Sequence, residues 1–127
     1  GAQMWQRVGD MAEAEIKVTS YRKEREAEIM KGLQKSLEKV GALVERQAKI
    51  NVSQTTGHPR VQTGRLRASI THELDNDSVK IGTNVIYGKY LEFGTSRMPP
   101  YPWLFPAVEM KRREIIEILK GKEFAVA

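Results

Sequence analysis

Two histidines, His58 and His72, and two aspartates, Asp75 and Asp77, are the side chains of this chain best suited to proton transfer or metal binding. Their spacing argues against both tasks. His58 stands beside Pro59 in a polar stretch, and His72 falls in an alternating run on the parity read as facing solvent. Neither has a second histidine one helical turn away, the arrangement that a helical zinc site uses. Asp75 and Asp77 bracket Asn76, and Asp-Asn-Asp serves a turn before it serves acid–base chemistry. Ser53, Thr55, Thr56, Thr63 and Ser69 sit in no nucleophile elbow, and Gly57 and Gly64 are isolated turn glycines rather than a phosphate loop. The chain has no cysteine, which excludes disulfides, thiolate nucleophiles and zinc–thiolate sites. The expectation is a protein that is not an enzyme, with no catalytic residue, metal or cofactor.

What remains is recognition. Arg60, Arg65 and Arg67 cluster in sequence, and Arg65 and Arg67 would share one face of a strand, where together they could pair a phosphate or an acidic partner. The same two cations on a solvated strand face, balanced by Glu73, are the alternative. The net charge is +5 and the pI about 9.6, yet the longest basic run is only Lys111-Arg112-Arg113. Proteins held to nucleic acid by charge alone concentrate more cations than this on one surface. A small basic nucleic-acid-binding domain is therefore the second functional hypothesis, and a hydrolase built on a histidine and Asp75 a distant third. Tyr87, Tyr90, Phe93, Tyr101 and Trp103 could stack on bases, but their placement on a short helix and beside prolines favours core packing or subunit contact.

The elements that position these groups follow from hydrophobic periodicity. From about Arg22 to Lys49, the residues Met30, Leu33, Leu37, Val40 and Val44 recur at spacings of three and four, with Ile29, Leu43 and Ile50 widening the stripe. The opposite face is charged, and Glu45 stands four residues ahead of Lys49, the favourable order for a helical ion pair. Ala14 to Thr19 alternates as a short strand, with Ile16 and Val18 on one face. Asn51 to Gln62 reads as a polar loop. Leu66 to Leu74 alternates, Asp75-Asn76-Asp77 turns the chain, and Val79, Ile81 and Thr83 resume the period of two, so a β-hairpin is predicted. Asn84 suits the N-cap of a short helix over Val85 to Glu92 closed by Gly94, and Pro106 opens a last helix to about Lys120, ended by Gly121. The fold class is α+β: a long N-terminal helix packed on a small antiparallel sheet, with a short helix and a C-terminal helix. Residues 1–20 form an N-terminal extension containing the short strand, and residues 21–127 a single domain. The first twenty residues carry acids and no continuous apolar run, so neither a signal peptide nor a membrane span is expected.

Tyr87 to Val108 (YGKYLEFGTSRMPPYPWLFPAV) holds four of the five prolines. Proline fixes φ and removes a donor, and pushes the residue before it towards extended geometry. Met98 to Tyr101 is therefore read as a stiff, extended connector that docks either on its own domain or on a neighbouring subunit.

Two motifs recur together in this region: Thr63-Gly64-Arg65-Leu66-Arg67-Ala68-Ser69-Ile70, then Tyr87-x-x-Tyr90-Leu91-Glu92-Phe93-Gly94-Thr95 followed by Pro100-Tyr101-Pro102-Trp103-Leu104-x-Pro106-Ala107. Preceded by a long helix that ends in Asn51-Val52, the set resembles the gene-product-ten-like tail-component family of siphophages, over roughly Glu28 to Leu119. The resemblance implies a structural virion protein of a tailed phage: a tail-completion or head–tail joining component, forming part of a neck ring around the DNA channel. It implies a homo-oligomeric ring as the working state. The other implied partners are the connector or head-closure proteins on one side and the tail terminator or tail tube on the other, with transient contact with DNA and no membrane. The implied location is the neck of the virion, after synthesis in the host cytoplasm. The interface residues expected on this basis are Arg65, Arg67, Tyr90, Phe93, Tyr101, Trp103 and Phe105. Two departures from the family pattern stand out: the extension over residues 1–20, and the lead-in Gly57-His58-Pro59-Arg60-Val61-Gln62 ahead of Thr63.

Overall fold

A computed structural model describes residues 11–19, 26–54 and 63–127, with side-chain detail in the two later segments from residues 31 and 64 onward. In chain order the elements are β1 (Glu13–Val18), α1 (Glu26–Ser53), α2 (Thr63–Ser69), β2 (Thr71–Leu74), β3 (Ser78–Gly82), α3 (Ile86–Phe93), α4 (Phe105–Met110), α5 (Arg112–Ile118) and β4 (Phe124–Val126). The strands form one antiparallel sheet in the order β2-β3-β1-β4. The expected α+β class holds: the long helix lies on the sheet, with the short and C-terminal helices beside it.

Strand alternation gives the sheet two unlike faces. Ala14, Ile16 and Val18 of β1 and Val79 and Ile81 of β3 are wholly buried, while Glu13, Glu15, Lys17 and Lys80 point to the uncovered side. The buried face meets the stripe Leu33, Leu37, Val40, Val44, Ala48 and Val52 of α1, spaced by three and four and at most 3% exposed. Asp75 closes the hairpin as expected: its N–H donates to the Ser78 carbonyl at 2.8 Å, and its Oδ1 accepts from the Asn76 N–H at 2.8 Å.

Several boundaries differ from the sequence reading, each for a physical reason. The short strand assigned to an extension is an interior strand, bonded to β3 on one side and β4 on the other, so the domain includes it. The alternating run from Leu66 is helical as far as Ser69. Leu66 and Ile70 are both buried, and a separation of four satisfies a strand's period and a helix's turn alike. Ala68, which a strand would bury beside them, is exposed. Thr63-Gly64 accordingly begins a helix rather than a turn into a strand. The helix α1 runs on to Ser53, whose hydroxyl donates to the Lys49 carbonyl at 3.0 Å, so Asn51 is helical. Ile50 faces outward, 40% exposed, instead of widening the core stripe.

Asn84 does not cap α3. Val85 holds that position, and the Thr83 hydroxyl accepts the Val85 N–H at 3.0 Å. The last helix breaks at Lys111, whose N–H is shared between the Ala107 and Val108 carbonyls. Gly121, with φ of 77°, ends α5 as read, and the chain then adds β4, which was not foreseen. His58, Arg60 and the loop glycine and proline at 57 and 59 lie outside the described residues, as does the helix start at Arg22.

The helix and sheet approach closely at Gly41. A Cβ there would lie 2.6 Å from His72 Cδ2 and 2.8 Å from Val79 Cγ2, whereas one at Gly32, on the same helix, would meet nothing within 4 Å. Alanine favours a helix interior by up to about 1 kcal/mol over glycine. Gly32→Ala should therefore stabilise by that order, and Gly41→Ala should destabilise by about 1–3 kcal/mol through overpacking. Urea unfolding of the two variants side by side reads the difference, and equal gains would contradict the packing.

Candidate functional site

The residues of both motifs converge where α3 meets α4. Glu92 sits in the last turn of α3, 5% exposed. Its Oε1 accepts the backbone N–H groups of Trp103 and Leu104 at 2.8 and 2.7 Å, and its Oε2 accepts that of Phe105 at 3.0 Å. A helix start leaves backbone donors without partners, and α4 has no side-chain cap of its own. Glu92 supplies that cap from a different helix, and its negative charge suits the positive end of the helix dipole. Pro106, in the first turn, has no N–H to satisfy. Burial raises the Glu92 carboxyl above its usual value, against the three N–H bonds, which lower it.

Trp103 is wholly buried between these elements. Its indole N–H donates to the Gly88 carbonyl at 3.0 Å, and its own carbonyl accepts from Asn51 Nδ2 at 3.0 Å. Asn51 is in turn oriented by Gln47, whose Nε2 donates to Asn51 Oδ1 at 2.9 Å. Gly88 is required by crowding: a Cβ there would come within 2.6 Å of Thr83, 3.0 Å of Leu66 and 3.2 Å of Trp103. The connecting segment doubles back along α3. Gly94 takes φ of 77° and donates to the Tyr90 carbonyl, Thr95 and Met98 bond each other's backbones, and the Tyr101 N–H reaches the Leu91 carbonyl at 2.7 Å. The proline segment thus docks on its own domain, the first of the two alternatives left open by the sequence.

The expected interface residues separate accordingly. Trp103 is enclosed by its own chain and presents nothing to a partner. Phe93 and Tyr101 are half-buried, and Tyr90 and Phe105 are 41% and 39% exposed. Ile86, one turn before Tyr90, is also exposed, so the outer side of α3 is apolar. Arg65 and Arg67 are exposed on a helix, where residues two apart point away from each other, so they do not form the shared face that a strand would give. Arg67 Nη1 instead donates to Ser53 Oγ at 3.0 Å. The sequence reading missed Asn51, Gln47 and Gly88 as parts of one network. The long separation between Asn51 and Trp103 left no local pattern to reveal it.

His72 does not face solvent. It pairs in register with Ile81, on the side of the sheet that meets α1, and lies between Glu38 and Glu45. Nδ1 is 2.6 Å from Glu45 Oε1 and Nε2 is 2.8 Å from Glu38 Oε2. Burial lowers the imidazole's proton affinity, but the two carboxylates outweigh it and raise the pKa above 6.5. Glu45, pushed up by burial, is brought below its usual value by His72 and Lys49. The imidazole, bonded through both nitrogens, ties the hairpin to two turns of α1.

Among the described residues no group of three or more His, Cys, Asp or Glu is placed to hold a metal, and no helix is long and apolar enough to cross a membrane. The fold and this junction define an architectural α+β domain, in which the motif residues hold one element against another. By sequence the chain belongs to the HK97-gp10-like family, described as "Bacteriophage HK97-gp10, putative tail-component", whose model matches residues 7–94. It is thus a phage structural protein, a tail component of the virion. The match begins ahead of β1, in agreement with that strand's place inside the sheet. No curated protein and no solved structure matches the chain.

Glu92→Ala would strand two buried N–H groups, each worth about 1–3 kcal/mol, and a third that is part-buried, so a loss of at least about 2 kcal/mol is expected in urea unfolding. Glu92→Gln keeps one carbonyl acceptor and should cost less. Trp103→Ala should cost about 3–5 kcal/mol. A near-neutral Trp103→Ala would show that the indole is not core.

His72 gives a pH signature. Its folded-state pKa is raised, so the stability it contributes is complete below about pH 6.5 and is lost as the pH rises through the raised value. The melting temperature should fall across that window, and the fall should be smaller in His72→Gln. Identical profiles for the two proteins would dismiss the Glu–His–Glu clamp as a source of stability.

Proposed function

We propose that this tail component completes the tail and joins it to the filled head, as one subunit of a ring at the neck around the DNA channel. The observation that carries this reading is the self-locked α3–α4 junction. It immobilises Tyr90, Phe93, Tyr101 and Phe105 on or near the surface while their backbone is held by Glu92, Gly94 and Leu91. Anchors fixed before docking lose little entropy on binding, and aromatic side chains are the usual anchors of protein interfaces. The partners on this reading are further copies of the chain, the head-closure or connector proteins above, and the tail terminator or tail tube below. The protein acts through surfaces and carries out no reaction.

The nucleic-acid-binding alternative draws less support. Arg65 and Arg67 diverge on α2, and Arg112 is paired with Glu109 at 2.7 Å.

Electron microscopy of lysates from the parent phage with this gene disrupted tests the proposal. Filled heads beside finished but unattached tails are expected, with joining restored by the intact gene. Normal joined particles would refute the role, and heads without any tails would move the protein to an earlier step of tail assembly. Complementation with a Tyr90→Ala/Phe105→Ala double variant should leave the fold intact and reduce joined particles. Full infectivity from that variant would remove these aromatics from the interface.

A further inference from the structure

Four cations, Arg46, Lys49, Arg67 and Lys111, line two grooves beside one stretch of α1. A groove of about 370 Å³ is lined by Glu45, Arg46, Lys49, Ile50, Ser53 and Arg67. A second, of about 270 Å³, shares Arg46 and Ile50 and is walled on its far side by Lys111. Arg46 and Ile50, one helical turn apart, form the ridge between them. Glu45, the acid here, already faces Lys49 at 3.1 Å and His72 at 2.6 Å, so its charge is matched. Arg46 is exposed and makes no hydrogen bond or ion pair among the described residues. At the centre of this cationic surface stands the exposed, apolar Ile50. Such a surface fits a protein partner carrying carboxylates around an apolar side chain better than it fits a row of phosphates.

The uncovered face of the sheet has that complementary character. A cleft of about 490 Å³ is floored by Gly82 and rimmed by Met11 and Glu13 on one side and Thr71 and Glu73 on the other. Lys80 also lines the cleft, where Glu13 and Glu73 outnumber it, and register places it between Glu73 and a third carboxylate, Glu15, just outside. Met11, 47% exposed, supplies the apolar element beside Glu13. The two surfaces lie on different layers of the domain, one on the helices and one on the strands.

We propose that the Arg46–Ile50 ridge of one copy docks into the Met11–Glu13–Glu73 cleft of the next. Arg46 enters the acidic cleft over Gly82, and Ile50 packs against Met11. Because the two patches differ, the contact is head-to-tail, which generates a ring where the rotation between successive copies closes and an open filament where it does not. This deepens the ring reading and rests on it for its setting. Charge complementarity selects the neighbour and register, and salt weakens it.

Sedimentation of the purified chain over a concentration series at low salt tests the contact. The wild type should form assemblies that dissociate as salt is added. Arg46→Glu and Glu13→Lys/Glu73→Lys should each lower self-association by at least tenfold while melting close to the wild type. Mixing these two proteins should restore assembly, since the intact ridge of one fits the intact cleft of the other and their two reversed faces complement each other as well. Carrying all three substitutions in one chain should restore assembly. A wild type that stays monomeric, variants that assemble normally, or a mixture that fails to assemble would each overturn the proposal. So would an Arg46→Glu chain that loses salt-sensitive retention on duplex DNA but assembles as before, which would assign the groove to nucleic acid. Phage joining is read separately: a chain that assembles by this contact yet is dispensable for joining would refute the neck role and leave the contact standing.

Discussion

The carboxylate of Glu92 accepts three consecutive backbone N–H groups, and the placement of everything after α3 depends on it. Residues 94–104 contain three prolines and no regular secondary structure, so they cannot organise themselves through backbone ladders. Their fold is imposed from outside. Glu92 sets where Trp103, Leu104 and Phe105 lie, and hence where α4 begins and which way it runs. That direction brings Ala107 and Val108 into the core, with α5 following to add Ile115 and Leu119. A buried carboxylate is a costly way to hold a loop, since burial disfavours its charge. It gives directional bonds that apolar contact alone would not, and those bonds specify one path among the many that a proline-rich segment could take.

The same junction explains why the motif residues recur together. Gly88 on α3 accepts the Trp103 indole N–H, Asn51 near the end of α1 donates to the Trp103 carbonyl, and Leu66 of α2 crowds the same glycine, so four segments meet here. A larger residue at position 88 would collide first with Thr83 and would crowd Leu66 and Trp103 as well. Loss of the Asn51 amide would leave the Trp103 carbonyl without its donor. In this chain these motif residues act in packing, holding one element against another.

What the sequence revealed followed the range of the interactions involved. The α1 stripe, β1 and the Asp75 turn were legible because local periodicity and turn chemistry determine them. The α2 helix was misread as strand because its two buried residues, Leu66 and Ile70, fit both periods, and only the exposure of Ala68 separates them. His72 was assigned to the wrong side for a related reason. A polar residue on an alternating run is read as outward, but here it faces two carboxylates of α1 and needs the inward position to reach them. The network around Trp103 was invisible in advance because Asn51 and Trp103 are 52 residues apart. The interface role of Trp103 was inferred from its neighbours in sequence, whereas burial is decided by neighbours in space.

The two clamps act on different parts of the fold. The Glu38–His72–Glu45 bridge ties the hairpin to α1, and the Glu92 cap ties α4 to α3. Both work on the helical side of the sheet, and the exposed Ile50 of α1 and Ile86 and Tyr90 of α3 take part in neither. In a domain of this size a substantial share of the surface must remain apolar whatever its function. What sets this chain apart is where that surface falls. Ile86 and Tyr90 line one helix, and Ile50 lies between two cationic grooves. Each rests on a backbone fixed by interactions elsewhere. A protein whose task is to hold neighbours in register needs this separation, because a surface that also stabilised its own fold could not be reshaped to fit a partner without unfolding the subunit.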